Sequence, residues 1–402
     1  MVSDLQSIIS VASRGMKKSA IRELLKLTKD PEIISFAGGL PAPETFPIEE
    51  LVEITNEVLR EDGEKALQYG ATEGDDRLRE LIVELYKNMG FDITLENVMI
   101  TTASQQGLDL LAKVFIDRGD KVLVGLPSYL GGLQAFKAYG AELLGIEFDE
   151  NGMRSDDLEA KLVELKAAND LPKFIYIIPD FQNPAGVTMP EKRRKEIIDI
   201  ARKYDVLIIE DSPYKEIRFE GEHQESLYAL EGNGQVINFG TFSKIFVPGF
   251  RIGWIIAHPE IIDKFVKAKQ ATDLCTSPFV QKIAAKYMEK GYFETNLKRT
   301  IQLYKEKKDI MMKAFEKYMP EGVTWTKPEG GLFLFITLPE YMDSEILFRK
   351  AIEKKVAFVV GHAFYCNGKG RNTMRINFSY VPKELNEIGV KRLAEVIKAE
   401  MK

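Results

Sequence analysis

Gly240-Thr-Phe-Ser-Lys-Ile-Phe-Val-Pro-Gly-Phe-Arg-Ile-Gly253 sets one lysine, Lys244, among hydroxyls, glycines and a second cation. On its N-terminal side Gln235–Gly240 is a short apolar run, and on its C-terminal side Phe250–Ala257 is another; both have the length and character of buried strands. Lys244 therefore lies at a strand end, where α/β folds place their chemistry. A lysine amine in such a place can form a Schiff base with a carbonyl cofactor. Thr241, Ser243 and Arg251 would then hold that cofactor's phosphate. A single lysine in a serine-containing turn is ordinarily a solvated surface residue, so the reading depends on partners elsewhere in the chain.

Outward from this stretch, short apolar runs alternate with helical periods from Asn97 onward, the pattern of stacked βαβ units and a mainly parallel sheet. Strands are expected at Val98–Thr101, Val122–Gly125, Phe174–Ile178, Val206–Glu210, Val236–Phe239 and Ile252–Ala257. Helices are expected at Ser104–Ile116, Leu130–Tyr139, Asp156–Lys166 and Glu191–Tyr204, and Pro278 opens a long helical tract broken at Gly291. After Glu329-Gly330-Gly331 the order becomes strand Leu332–Thr337, helix Ser344–Lys354, strand Ala357–Val360, strand Thr373–Phe378 and helix Lys383–Ala399, an α+β arrangement. Upstream, Met16–Thr28 has the spacing of an amphipathic helix and Ser35–Pro47 is a Gly/Pro-dense loop. Helices at Glu49–Glu61 and Arg77–Asn88 flank a second loop containing Tyr69. The fold class is α/β: a large domain with a mainly parallel, mixed sheet between helices, and a smaller α+β domain. The expected division is 1–47 packing with the small domain, 48–290 as the large cofactor-binding domain, and 291–402 as the small C-terminal domain.

The composition bounds the function. The 402 residues are 45% hydrophobic and 29% charged, which describes a globular protein of about two domains. A net charge of −6 without a basic run argues against nucleic acid or an anionic membrane as the main partner. The two cysteines, Cys275 and Cys366, stand far apart outside any CxxC or CxxH context, which fits a reducing compartment and argues against structural zinc; no metal site is expected. No apolar run approaches a membrane span, and Ile8-Ile9 with Val11-Ala12 is too short for a signal segment, so a cytoplasmic location is expected.

The carboxyl ends of the expected strands deliver unusual residues into what should be one crevice. After Val98–Thr101 comes Ser104-Gln105 at a helix start, a seat for phosphate. After Val122–Gly125 comes Tyr129, an aromatic ring able to stack on a flat cofactor. Phe174–Pro179 leads into Asn183-Pro184, an amide in a fixed turn that can reach a phenolic oxygen or a carboxylate. Val206–Ile209 leads into Asp211 and Tyr214. A buried carboxylate needs a partner, and a protonated pyridine nitrogen would serve. Taken singly, each has an ordinary structural explanation. Their convergence with Lys244 and Arg251, seven residues apart, does not.

Together, Thr241–Lys244, Pro248–Gly253, Gln182-Asn183-Pro184-Ala185-Gly186, Glu210–Tyr214 and Met374–Ser379 resemble the fold-type-I, class I/II aminotransferases over nearly the whole chain. Ile21–Leu27, Ser35–Pro41 and Leu67–Tyr69 look most like the 2-aminoadipate and kynurenine-type members. The resemblance implies pyridoxal 5′-phosphate as cofactor, Lys244 as the Schiff-base lysine and proton shuttle, and Asp211 as partner of the pyridine nitrogen. It implies Tyr214 and Asn183 at the ring oxygen, Tyr129 stacked on the ring, and Ser104, Gln105, Thr241, Ser243 and Arg251 at the phosphate. Tyr69 would reach in from the neighbouring protomer of a homodimer with shared sites. Arg375 would clamp the substrate α-carboxylate with Asn183 and Gly39, and Arg22 is the candidate for a distal carboxylate. The phosphate loop departs from the family in reading Ser-Gln-Gln. The implied reaction is ping-pong amino transfer between an L-amino acid (2-aminoadipate, glutamate, aromatic or branched-chain) and an oxo acid such as 2-oxoglutarate. The alternatives on the same scaffold are a decarboxylase or lyase, or the effector-binding domain of a regulator.

Overall fold

The computed structural model describes residues 5–10, 13 and 30–401. The expected helix Met16–Thr28, with Arg22 on it, lies outside the described residues. Ile34–Ser35 (β1) leads through the Gly/Pro loop to a helix, Ile48–Ala66, that runs longer than its periodicity predicts, with non-helical backbone at Asp62. The helix Asp76–Lys87 follows, capped by the Asp75 carboxylate accepting from Leu78 N.

Eight strands form the central sheet: Val98–Thr101 (β2), Lys121–Leu126 (β3), Glu142–Asp149 (β4), Gly152–Met153 (β5), Phe174–Ile177 (β6), Leu207–Asp211 (β7), Val236–Thr241 (β8) and Gly253–Ile256 (β9). Their spatial order is β2-β9-β8-β7-β6-β3-β4-β5. From β4 through β3, β6 and β7 to β8 the pairs are parallel, whereas β9 runs antiparallel to both β8 and β2. That reversal follows from the tight connection around Lys244: the eleven residues between β8 and β9 contain no crossover α-helix, so β9 returns beside its predecessor. Strand β4, second from the edge, is absent from the sequence-based reading. Most of its side chains are only half-buried and Gly145 interrupts it, so neither an apolar run nor clean alternation marks it.

Helices cover both faces of the sheet. Ile208, Ile177 and Val236 pack with Leu158, Leu162 and Ile197 on one face, while Ile209, Ile237, Tyr176 and Phe239 join the larger core on the other. A second sheet has the order Thr324–Trp325 (β10), Phe333–Thr337 (β11), Thr373–Asn377 (β14), Val359–Val360 (β13), all antiparallel. β1 pairs in parallel with Val356–Ala357 (β12), so the N-terminal segment joins the C-terminal part of the chain. The helical tract does break where expected: Pro278–Glu289 ends before Gly291, whose φ of +70° caps the 27-residue helix Tyr292–Tyr318. No helix among the described residues is long and apolar enough to cross a membrane.

Candidate active site

The carboxyl ends of the parallel strands and the β8–β9 turn bring Ser104, Gln105, Tyr129, Asp211, Tyr214, Thr241, Ser243, Lys244 and Arg251 around one pocket. Lys244 follows directly from β8, and its Nζ donates to the Gly39 carbonyl at 2.8 Å. Burial, with Arg375 and Arg251 nearby, lowers its amine to about 8. In the same turn Thr241 Oγ1 donates to the Ile252 carbonyl at 3.0 Å and accepts from Ser243 N at 3.1 Å, fixing the two hydroxyl residues. Arg251 ends the short 3₁₀ turn Pro248–Phe250 with φ of +54°.

The helix Ala103–Phe115 begins at this pocket. Thr102 takes the N-cap position, so Ser104 and Gln105 lie in the first turn, where N–H groups have no intrahelical acceptor. Gly253 makes the approach possible: a Cβ there would stand 2.5 Å from Ser104 N. The Gln105 side chain turns to its neighbours, with Nε2 donating to the Gly131 carbonyl at 3.2 Å and Oε1 accepting from the Tyr129 phenol at 3.4 Å.

Asp211, at the end of β7, is buried. Its Oδ2 accepts from the Tyr176 phenol at 2.6 Å, while Oδ1 is buried without a partner. Desolvation raises the carboxyl to about 6, opposed by the Tyr176 hydrogen bond. Tyr214 O accepts from Asn183 Nδ2 at 3.2 Å, and burial pushes its phenol well above the ordinary tyrosine value. The Asn183 carbonyl accepts from Arg375 NH1 at 2.9 Å, and Arg375 NH2 donates to the Ala37 carbonyl at 3.0 Å. The guanidinium lies 4.2 Å over Phe333 and 5.2 Å from the Phe364 ring, its Nε buried and unpartnered, and burial lowers it to about 10.

Thus the expected residues assemble, with two exceptions: Tyr69 is 79% exposed and apart from this pocket, and Arg22 lies outside the described residues. Tyr176, Phe333 and Phe364 were not anticipated. The only trace of Tyr176 in the sequence is a lone polar side chain in the apolar run Phe174–Ile177.

These residues fit pyridoxal phosphate. A buried carboxylate oxygen without a partner can take a pyridinium N–H, and a helix start beside an arginine and two hydroxyl residues suits a phosphate dianion. The comparisons agree. The chain is 51% identical over 401 residues to aromatic-amino-acid aminotransferase 1 of Thermococcus litoralis, covering 99% of this chain and 96% of that protein. It superposes on Pyrococcus horikoshii kynurenine aminotransferase, solved with the aminated cofactor PMP, with a TM-score of 0.96 at 47% identity, covering 100% of this chain and 99% of that one. It superposes on the α-aminoadipate aminotransferase LysN of Thermus thermophilus, complexed with N-(5′-phosphopyridoxyl)-L-leucine, with a TM-score of 0.91 at 39% identity, covering 98% of each chain. The family model for aminotransferase class I and II matches residues 32–393, so the pocket's lysine, acid and arginines sit in a transaminase that uses pyridoxal phosphate, and the chain belongs to the class I and II aminotransferases.

Proposed function

We propose that Lys244 is the lysine that carries pyridoxal phosphate and moves the substrate proton, and that the amino donors include aromatic amino acids and 2-aminoadipate, with 2-oxoglutarate as an acceptor. The observation that carries the reading is the Lys244 amine: buried in the pocket, hydrogen-bonded to a carbonyl and lowered to about 8. An amine in that range exchanges between neutral and charged forms near neutral pH, as imine chemistry and proton transfer require. When bound, the cofactor supplies a conjugated pyridinium that accepts the electron pair left at the substrate α-carbon.

The remaining work belongs to the chain's own residues. Asp211 keeps a proton on the ring nitrogen through its unpartnered Oδ1. Asn183 and Tyr214, already hydrogen-bonded to each other, hold the ring oxygen, and Tyr129 stacks on the ring. Ser104, Gln105, Thr241, Ser243 and Arg251 hold the phosphate, Gln105 through its backbone, since its side chain is engaged with Tyr129 and Gly131. Arg375 takes the α-carboxylate with help from Asn183 and Gly39; the planar guanidinium is held in place by Asn183, the Ala37 carbonyl and its packing against the Phe333 and Phe364 rings. Lys244 Nζ is the base that removes the α-proton and the acid that returns it.

The donor range rests on the relatives, which are named for aromatic amino acids, kynurenine and α-aminoadipate. Arg22 stays the proposed partner of a distal carboxylate. A screen of amino acids against the loaded enzyme without acceptor tests this: aromatic donors and 2-aminoadipate should bleach the lysine-bound cofactor's visible band and release the matching oxo acid. Release of carbon dioxide in place of the oxo acid would favour the decarboxylase reading.

We further propose a cytosolic homodimer with shared sites. Cys275 and Cys366 are free, as in reducing compartments. Ile48, Val52 and Leu59 on one helix, with Leu67 and Tyr69 beyond it, are large apolar side chains left exposed in the single chain, as an interface requires. Tyr69→Ala and Lys244→Ala chains refolded together should regain about half the wild-type activity per mixed dimer if Tyr69 acts across the interface, and none if it acts within its own chain. The division into 1–47 with the small domain, 48–290 and 291–402 is likewise our proposal, supported by the β1–β12 pairing and by Asn377 N donating to Phe36 O at 2.9 Å.

A further inference from the structure

We propose that Tyr176 is a positioning residue for transamination: its phenol fixes the Asp211 carboxyl so that Oδ1 is the oxygen presented to the cofactor's ring nitrogen. The inference rests on the reading of Asp211 given above. β6 and β7 pair with Tyr176 opposite Ile209, which puts Asp211 two residues further along the same face. The phenol reaches Oδ2 at 2.6 Å, and the buried Oδ1 has no partner, so the two oxygens are not equivalent. Turning the carboxyl over would break a short, charge-assisted hydrogen bond in a buried site.

The phenol is itself held. The Phe136 ring meets it edge-on at 5.3 Å, and a Cβ on Gly132 would stand 3.1 Å from its ring and 3.3 Å from its oxygen. Gly132 sits inside the helix Leu130–Ala138, where glycine is a poor helix former, and it leaves room for the phenol. The other titratable groups around Asp211 are Tyr129 at the start of that helix, Tyr214 beyond β7, and Lys244 and Arg251 of the β8–β9 turn. Tyr176 alone among them donates to the carboxylate, opposing the desolvation that raises it to about 6.

The test titrates pyridoxamine 5′-phosphate, which forms no imine with Lys244, into full-length apoenzyme from pH 5 to 8. Dividing each variant's Kd by the wild-type Kd cancels the ligand's own ionisations. Tyr176→Phe keeps the ring and removes the donor, so the carboxyl should protonate at higher pH. The Kd ratio should therefore rise on acidification, by about tenfold for each pH unit the carboxyl moves. Gly132→Ala, which crowds the phenol without touching the carboxylate, should raise the ratio in the same direction by less. For Asp211→Asn the ratio should fall on acidification, because wild type loses its carboxylate and the variant has none to lose. A Tyr176→Phe ratio that is flat with pH, beside a falling Asp211→Asn ratio, would reduce Tyr176 to packing and overturn the inference. A flat Asp211→Asn ratio would instead remove Asp211 from the ring nitrogen, and the inference with it.

Discussion

Glu210 and Asp211 are neighbours on β7, both buried, and they face opposite sides of the sheet. On one side, Glu210 lies with Ile208 above the smaller core. Its Oε1 accepts from Leu227 N, and its Oε2 from Tyr228 N and Asn238 Nδ2, each at 3.0 Å. That face leaves the Asn238 amide oxygen unpartnered but gives each oxygen of the Glu210 carboxylate a donor. On the other side Asp211 has one donor and one empty oxygen. The same strand thus carries one acid that closes a structure and one that leaves it open. An incomplete hydrogen-bond set costs free energy in the apoprotein, and it is repaid when a ligand supplies the missing donor.

The open side should dominate activity. Lys244→Ala should lower kcat by roughly 10⁴-fold or more, because both the attachment point and the proton shuttle vanish. Loss of the lysine-bound cofactor's absorption band should accompany it, and retention of that band would move the cofactor to another lysine. Arg375→Lys keeps the charge but loses the planar fork, so kcat/KM should fall roughly 10²-fold, chiefly through KM for the amino acid. Steady-state kinetics with two donors of different side chain would check it. Unequal losses would mean that Arg375 reads more than the shared α-carboxylate.

How much of this contrast is legible in the sequence depends on distance along the chain. Lys244, Thr241, Ser243 and Arg251 fall within one turn, and Asp211 and Tyr214 within another, so local spacing exposes them. The fully buried strands were readable because burial on both faces makes them continuous apolar runs, whereas half-buried β4 carries no such mark. Tyr176 was unreadable for a different reason: it meets Asp211 across a strand pair 35 residues away, and inside Phe174–Ile177 a tyrosine looks like one more core aromatic. Arg375 could be matched to its motif, but its packing against Phe333 and Phe364 arises only where β11 and the Gly361–Phe364 turn meet. The opposite roles of Glu210 and Asp211 depend on partners from three other segments: the helix that starts at Leu227, β8 and β6.

The closed side should dominate stability. Glu210→Gln replaces one acceptor oxygen with an amide donor, which then faces the backbone N–H of Leu227 or of Tyr228. The variant should lose about 1–3 kcal/mol in urea unfolding, while the enzyme that remains folded keeps its turnover. A loss of turnover at unchanged stability would mean that Glu210 acts on the site through Asp211, and the division between the two faces would fail.

The smallest effect has the opposite sign and tests the comparison most sharply. The Asp211 carboxyl is raised from 3.8 to about 6 in the folded apoprotein. Between those values the folded state binds more protons than the unfolded chain, so stability falls as pH rises through the window and the full cost is present above it. A shift of roughly two pH units sets an upper bound near 3 kcal/mol, and the amide of Asp211→Asn still has to be buried, so the net gain should be about 1–2 kcal/mol at neutral pH. The apo variant should therefore be more stable than wild type at pH 7.5 and nearly equal to it at pH 4, measured at one protein concentration so that subunit association does not intrude. The same substitution should lower transamination steeply, since a neutral amide cannot hold a proton on the ring nitrogen. An apo variant less stable than wild type at pH 7.5 would mean that the Asp211 charge is compensated in the empty site after all, and then the two acids of β7 would differ in position but not in kind.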